Sequence, residues 1–116
     1  LKPRKAFNQP LSNLQALRHR FADGWTQIEA ARNLTYSAAY KFETGQESEV
    51  EVSMAKLFAT ETANKIAYDA VQLHGGYGYI RETPVERFAR DYRVWTIAAG
   101  SSEIMREIIS KNLLQD

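Results

Sequence analysis

Gln72-Leu73-His74-Gly75-Gly76-Tyr77-Gly78-Tyr79 is the stretch on which the fold of this chain turns. It closes a run in which Val52, Ala55, Ala59, Ala63, Ile66, Ala70 and Leu73 recur at helical spacing, so its glycines arrive where a helix stops. Dinucleotide and phosphate loops place their glycines after a strand and before a helix, where free amides at the positive pole face the anion. Here the glycines follow a helix, at its negative pole, and read first as C-caps and a sharp turn. A second glycine break, Gly100-Ser101-Ser102-Glu103-Ile104, starts 25 residues after Gly75 and precedes a helix instead. Its hydroxyls and first-turn amides suit a capped helix start, and equally an anion or the polar edge of a ring.

Upstream, Leu14, Phe21, Ile28 and Thr35 recur every seven residues after Pro10, with Leu17, Ala31 and Ala38 on the adjoining row. This predicts one long helix over about residues 11 to 43. Gly24 lies inside it and costs roughly 1 kcal/mol relative to alanine, which predicts a close approach by another backbone or an aromatic ring. Glu43-Thr44-Gly45-Gln46-Glu47-Ser48 is a helix stop and a short connection, so a second helix from about Val50 to His74 runs antiparallel to the first. Its alanine-rich stripe implies close helix packing. Thr83-Pro84 with Glu86 opens a shorter third helix to about Val94, in which Glu86 and Asp91 interleave with Arg87, Arg90 and Arg93 as local ion pairs. Ser101 or Ser102 caps a fourth helix with Ile104, Met105, Ile108, Ile109 and Leu113 as its apolar face. The expected fold is all-α, a single domain built as an up-and-down bundle of four-helix type, without internal repeats.

Composition narrows the partners. The chain has 116 residues, 44% hydrophobic and 25% charged, with a formal charge of +1. That balance gives no sequence-wide reason to bind nucleic acid, and no apolar run approaches the roughly 20 residues of a membrane span. Cysteine is absent, which excludes disulfides, thiolate catalysis and sulfur-ligated zinc within the chain. The opening Leu1-Lys2-Pro3-Arg4 lacks a starting methionine and reads as a piece of a longer protein.

Taken in order, Ala67 to Gly76, Thr83-Pro84-Val85-Glu86 and Gly100 to Arg106 resemble the C-terminal helical domain of acyl-CoA dehydrogenases with no gap between them. The resemblance covers residues 1–116 as a partial domain whose first helix would lie upstream. It implies FAD as cofactor, with Gln72, Gly75 and Gly76 contacting the adenosine diphosphate part of FAD held mainly by an adjacent subunit. Arg4, Phe7 and Gln15 match a second signature of the family, in which the arginine meets the FAD pyrophosphate and the aromatic ring lies near the cofactor. A guanidinium fork suits that task because it bonds phosphate oxygens bidentately and stays charged. Ser101 and Ser102 belong to the segment that, by resemblance, lies beside the flavin and the acyl-CoA thioester.

The family removes an α-proton with a carboxylate while hydride passes from the β-carbon to the flavin, and many members carry that carboxylate immediately before the glycine of this last segment. Here the position is Ala99, which cannot accept a proton. No residue of this chain is therefore assigned as the base. Isovaleryl- and long-chain-type members place it on the preceding helix, which would lie upstream of Leu1; a relative that has lost the base is the alternative. The first is favoured, because Arg4, Phe7, Gln15, Gln72, Gly75 and Gly76 all stand where the resemblance needs them.

The resemblance thus implies an enzyme whose full-length form oxidises an acyl-CoA to a trans-2-enoyl-CoA, passes electrons to an electron-transferring flavoprotein and forms a homodimer or homotetramer. Its compartment would be the bacterial cytoplasm or, second, the mitochondrial matrix. The competing readings are an acyl-CoA oxidase or flavin monooxygenase of the same fold, and a non-enzymatic helical association module.

Overall fold

The computed structural model describes residues 4–114, so the opening Leu1-Lys2-Pro3 lies outside the described residues. All four expected helices are present: α1 Gln15–Glu43, α2 Glu49–His74, α3 Pro84–Arg93 and α4 Ser102–Leu114. α2 is the spine. α1 runs antiparallel along one flank, after a tight turn in which Gly45 takes φ 69° and the Gln46 amide donates to the Lys41 carbonyl at 3.0 Å. An ion pair between Lys41 and Glu51 near this turn, and another between Arg20 and Asp69 at 3.5 Å toward the far end, fix the register.

α3 and α4 follow one another along a different flank of α2. Asn64 Nδ2 donates to the Tyr92 carbonyl at 2.8 Å and so anchors the end of α3. Arg106 pairs with Glu61 at 2.6 Å, and Asn112 Nδ2 reaches Glu49 at 3.3 Å, which lays α4 back toward the start of α2. The arginine row of α3 resolves into the expected local pairs, Arg90 with Glu86 at 3.0 Å and Arg87 with Asp91 at 4.0 Å.

Because α2 is covered on more than one side, its buried positions are small rather than confined to one stripe: Ser53, Ala55, Thr62 and Ala67. Of the stripe read from the sequence, Ala55 is buried and Val52 is exposed. Among the described residues the buried apolar set is Ala38, Ala55, Ala67 and Met105, and no large side chain is fully buried. Phe21, Trp25, Tyr36, Tyr40 and Phe42 of α1, and Ile104 and Leu113 of α4, face outward. The radius of gyration, 17.7 Å over extents of 60 × 26 × 25 Å, exceeds the roughly 13 Å of a compact chain of this length. The helices are sound, but most of their large apolar surface is left for something else to cover.

Two local expectations are corrected, and one unexpected element appears. The first helix starts at Gln15 rather than 11, because Pro10 and Leu14 are extended and Leu11–Asn13 forms a separate 3-10 turn. Before it, Lys5–Ala6 (β1) pairs antiparallel with Gln9–Pro10 (β2) across a turn in which Phe7 and Asn8 have φ 52° and 60°, the sign of a two-residue hairpin turn. Gly24 meets neither a backbone nor a ring: a methyl group there would sit 3.9 Å from Ile66 Cγ1, an ordinary contact.

Gly78 is where the chain tolerates no side chain. A Cβ there would lie 2.4 Å from the Val71 carbonyl oxygen and 2.9 Å from His74 Cβ, because the 3-10 turn Gly75–Gly78 folds back over the last turn of α2. Gly76, two residues earlier, has open space at the same position. Gly78→Ala should therefore lower stability by about 3 kcal/mol, read as a shift of the urea midpoint, while Gly76→Ala should shift it by no more than about 0.5 kcal/mol. Equal effects would mean that the turn does not pack as described.

Candidate functional site

The residues singled out in the sequence gather in two places. Since α1 and α2 are antiparallel, the start of α1 and the end of α2 share one end of the molecule, and the hairpin lies there as well. This end holds Arg4, Phe7, Gln15, Gln72, Gly75 and Gly76. The Leu11 amide donates to the Arg4 carbonyl at 2.9 Å, which fixes Arg4 beside the hairpin. Gly75 takes φ 62° and ψ −144°, a conformation essentially confined to glycine, and its amide donates to the Gln72 carbonyl. A Cβ at Gly75 would stand 3.3 Å from an Arg4 guanidinium nitrogen, so the bare glycine gives Arg4 its place against the helix end.

Arg4, Gly76, Tyr77 and Ile80 line a cleft of about 380 Å³ here. Among the described residues Arg4 pairs with no carboxylate, and α2 ends with its negative pole at this cleft. An anion bound here depends on the guanidinium, not on the helix. Phe7 stands at the hairpin tip, 88% exposed. A bulky residue at φ 52° is strained, and conformations of this kind concentrate at functional sites. Gln15 opens α1, and both it and Gln72 are exposed. His74, given no role from sequence, turns its ring back to the Ala70 carbonyl at 2.7 Å.

The second place is the loop into α4. Ala99 and Gly100 have φ 53° and 89°, two left-handed residues in succession, and the alanine carries a cost of roughly 1–2 kcal/mol for it. Ser101 is the cap: its Oγ accepts the Ile104 amide at 3.4 Å and its carbonyl the Met105 amide at 3.0 Å. Ser102 is buried, and its Oγ has no hydrogen-bond partner. The loop borders a larger groove of about 1050 Å³, whose walls include Asn64, Tyr68, Tyr79, Arg93, Ser102 and Glu103.

This groove does not include Arg4, Gly75 or Gly76. Lys56, which donates to the Gly100 carbonyl, and Gly75 are 19 residues apart in sequence, roughly 28 Å along the helix axis. The structure therefore does not bring Ser101 and Ser102 together with the Arg4 group. Sequence reading missed Lys56. The available signal was a single cation inside Ser53-Met54-Ala55-Lys56-Leu57-Phe58-Ala59, which is otherwise small or apolar.

The carboxylate closest in sequence to Ala99 is Glu103. Its own backbone amide, and then the Ser101 hydroxyl, hold its carboxyl below the usual carboxylate range. A base for an α-proton needs its pKa brought up toward the operating pH, and this one is moved the other way. Glu103 completes the cap.

The sequence model described as the C-terminal domain of acyl-CoA dehydrogenase matches residues 1–114. The chain belongs to the acyl-CoA dehydrogenase family. It is 46% identical over 114 residues to the 3-(aryl)acrylate reductase of Clostridium sporogenes, covering 98% of this chain and 30% of the relative. With the caffeyl-CoA reductase-Etf complex subunit CarC of Acetobacterium woodii it shares 45% over 114 residues, again covering 98% of this chain and 30% of the relative. The butyryl-CoA dehydrogenase of Megasphaera elsdenii superposes with a TM-score of 0.95 at 39% identity, over 98% of this chain and 30% of that structure. The chain thus spans about 30% of the length of these relatives. No helix among the described residues is long and apolar enough to cross a membrane.

The role of Glu103 as a cap carboxylate has a pH signature. With its folded pKa below the ordinary value of 4.5, its stabilising contribution is present above that value and lost as pH falls through the folded pKa. Glu103→Gln should lower stability at neutral pH and flatten its decline between about pH 5 and pH 3, measured as melting temperature against pH. A parallel decline in both proteins would remove Glu103 from the cap.

Proposed function

We propose that this chain is the C-terminal helical domain of an FAD-dependent acyl-CoA dehydrogenase, in which it furnishes part of the cofactor site and part of the subunit interface. The observation that carries the reading is that Arg4, about 70 residues away in sequence, lines one cleft with Gly76 and lies against the bare Gly75. The donor set suits FAD: a forked cation for pyrophosphate oxygens, side-chain-free backbone beside it, and an exposed aromatic ring on the neighbouring hairpin. The chemistry FAD supplies when bound is acceptance of a hydride from the acyl β-carbon.

The separation of the two clusters fits this assignment. Arg4, Phe7, Gln15, Gln72, Gly75 and Gly76 would hold the adenosine diphosphate end of a cofactor seated mainly in another subunit. Ser101 and Ser102 would face the flavin and thioester of the chain's own site. The α-proton would go to a carboxylate on a segment outside residues 1–116, since Ala99 has no acceptor and Glu103 is held ionised in its cap.

A complex with an electron-transferring flavoprotein is supported by the Etf-complex relative, and the reductase names of two relatives favour a variant in which the same site runs toward reduction of a 2-enoyl group. Both relatives are bacterial, which favours the bacterial cytoplasm.

Homo-oligomer formation has its support on α1. Phe21, Trp25, Glu29, Arg32, Tyr36 and Tyr40 fall within about 100° of one another around the helix. The face is symmetric about the point between residues 30 and 31: Phe21 mirrors Tyr40, Trp25 mirrors Tyr36, and Glu29 mirrors Arg32. Two copies crossing antiparallel would set ring against ring and carboxylate against guanidinium, as a twofold interface requires. Trp25→Asp should lower the assembly state in sedimentation, and an unchanged state would discard this face as the interface.

The cofactor reading is tested in the full-length protein by anaerobic visible spectroscopy with short-, medium- and long-chain acyl-CoAs, followed by addition of a 3-aryl-acryloyl-CoA to the reduced flavin to read the reverse direction. Bleaching of a bound flavin by one acyl-CoA class is expected. Flavin without bleaching would favour a base-less relative, rapid reaction of the reduced flavin with oxygen would favour an oxidase or monooxygenase, and absence of flavin would favour the association module. Arg4→Ala should weaken FAD retention by roughly 10- to 100-fold, the worth of a charge-assisted hydrogen bond.

A further inference from the structure

The loop Ala99–Ser102 runs through two left-handed residues, and a strained path persists only where its surroundings hold it. One support is steric. Met105 Cε would lie 2.7 Å from a Cβ at Gly100, so the first turn of α4 closes against the bare glycine. The other is a hydrogen bond spanning 44 residues, from the Lys56 ammonium to the Gly100 carbonyl. Lys56 is half-buried in the N-terminal third of α2, the element that every other helix packs on.

That bond determines more than the position of one oxygen. In a planar trans peptide the C=O and the N–H of the next residue point in opposite directions. With the Gly100 carbonyl turned toward Lys56, the Ser101 N–H is turned away from α2, out of the loop's open side. Among the described residues this amide donates to nothing, and the Ser102 hydroxyl beside it has no partner either. Farther along, the amides of Ile104 and Met105 go to Ser101, and that of Glu103 to its own carboxylate.

We propose that Lys56 is a positioning residue for the reaction read above: by holding the Gly100 carbonyl, it aims the Ser101 amide at an acceptor atom of the bound flavin or thioester. The inference rests on the reading of this loop as the flavin-facing segment. It assigns Lys56 no contact with substrate or cofactor. Its ammonium acts through the peptide plane, so a guanidinium at position 56 serves nearly as well and a neutral chain of equal length does not.

The experiment compares Lys56→Met and Lys56→Arg with the wild type in the full-length protein, by hydrogen exchange of the peptide spanning residues 98–103, by the visible flavin spectrum, and by kcat and KM. For Lys56→Met, roughly tenfold faster exchange confined to that peptide is expected, with a perturbed flavin band and a kcat reduced roughly tenfold at a smaller change in KM. Lys56→Arg should restore exchange, spectrum and kcat together. Exchange or kcat unchanged in Lys56→Met overturns the proposal, as does a loss that Lys56→Arg fails to repair. If Lys56→Met does not fold, Lys56→Gln takes its place with the same expectations. A wild-type protein without flavin would overturn the functional reading and with it the catalytic part of this inference; the exchange difference alone then decides whether Lys56 holds the loop.

Discussion

The constraint on which this structure depends is that α2 must accept helices on more than one flank. A helix packed from several sides can bury only small residues along its contact lines, and the buried positions of α2 are two alanines, a serine and a threonine. This permits close approach of α1, α3 and α4, but it also denies the domain a core of large side chains. A fully buried leucine- or phenylalanine-sized group contributes about 1.5–3 kcal/mol, and none is fully buried here. The large apolar groups are displayed instead, above all on α1, so the architecture that makes the spine straight and close-packed also makes the domain dependent on surfaces it does not contain.

The same spine orders the two clusters of candidate residues. Its C-terminus carries the Gly75 turn that Arg4 closes on; Lys56, in its N-terminal third, reaches the Gly100 loop. A rigid helix is well suited to fixing two ligand-facing elements at a set separation, because bending it would break the packing on every flank at once. The separation of roughly 28 Å along its axis is therefore a property of the fold rather than of the loops. It also explains why the residues of one proposed cofactor site need not meet within one chain.

Helix number and approximate limits were legible in the sequence because stop signals are local: Gly45 and Gly75 both adopt positive φ where the periodicity ends, and Pro84 opens α3. What escaped was non-local or fine-grained. The hairpin around Phe7 and Asn8 has two-residue strands, too short for alternation to register, and an aromatic residue in its left-handed turn defies the usual turn chemistry. The buried face of α2 was misjudged because periodicity reports one stripe, while this helix is covered on more than one. Gly24 was overread, since an Ile66 side chain at ordinary contact distance needs no glycine. For the site, glycines and arginine were readable as types. The separate placing of the two clusters along α2, and the Lys56 bond across 44 residues, exist only once the chain is folded.

Donors and acceptors are unevenly distributed over the proposed ligand-facing surfaces, and that imbalance bears on the division of labour. Arg4 and the unoccupied Ser101 amide are donors, and the unpartnered Ser102 hydroxyl can donate as well as accept. On the proposed reading Ala99, strained but inert, stands where many relatives carry the base, and Glu103 is drawn into the cap, where hydrogen bonds favour its ionised form and lower its basicity. Moving a base onto Ala99 would place a carboxylate on a left-handed residue directly before the glycine that Met105 and Lys56 hold, adding a charge to the one loop whose path is already costly. A base on a different element, as proposed, would leave this loop free to be shaped for hydrogen bonding to the ligand.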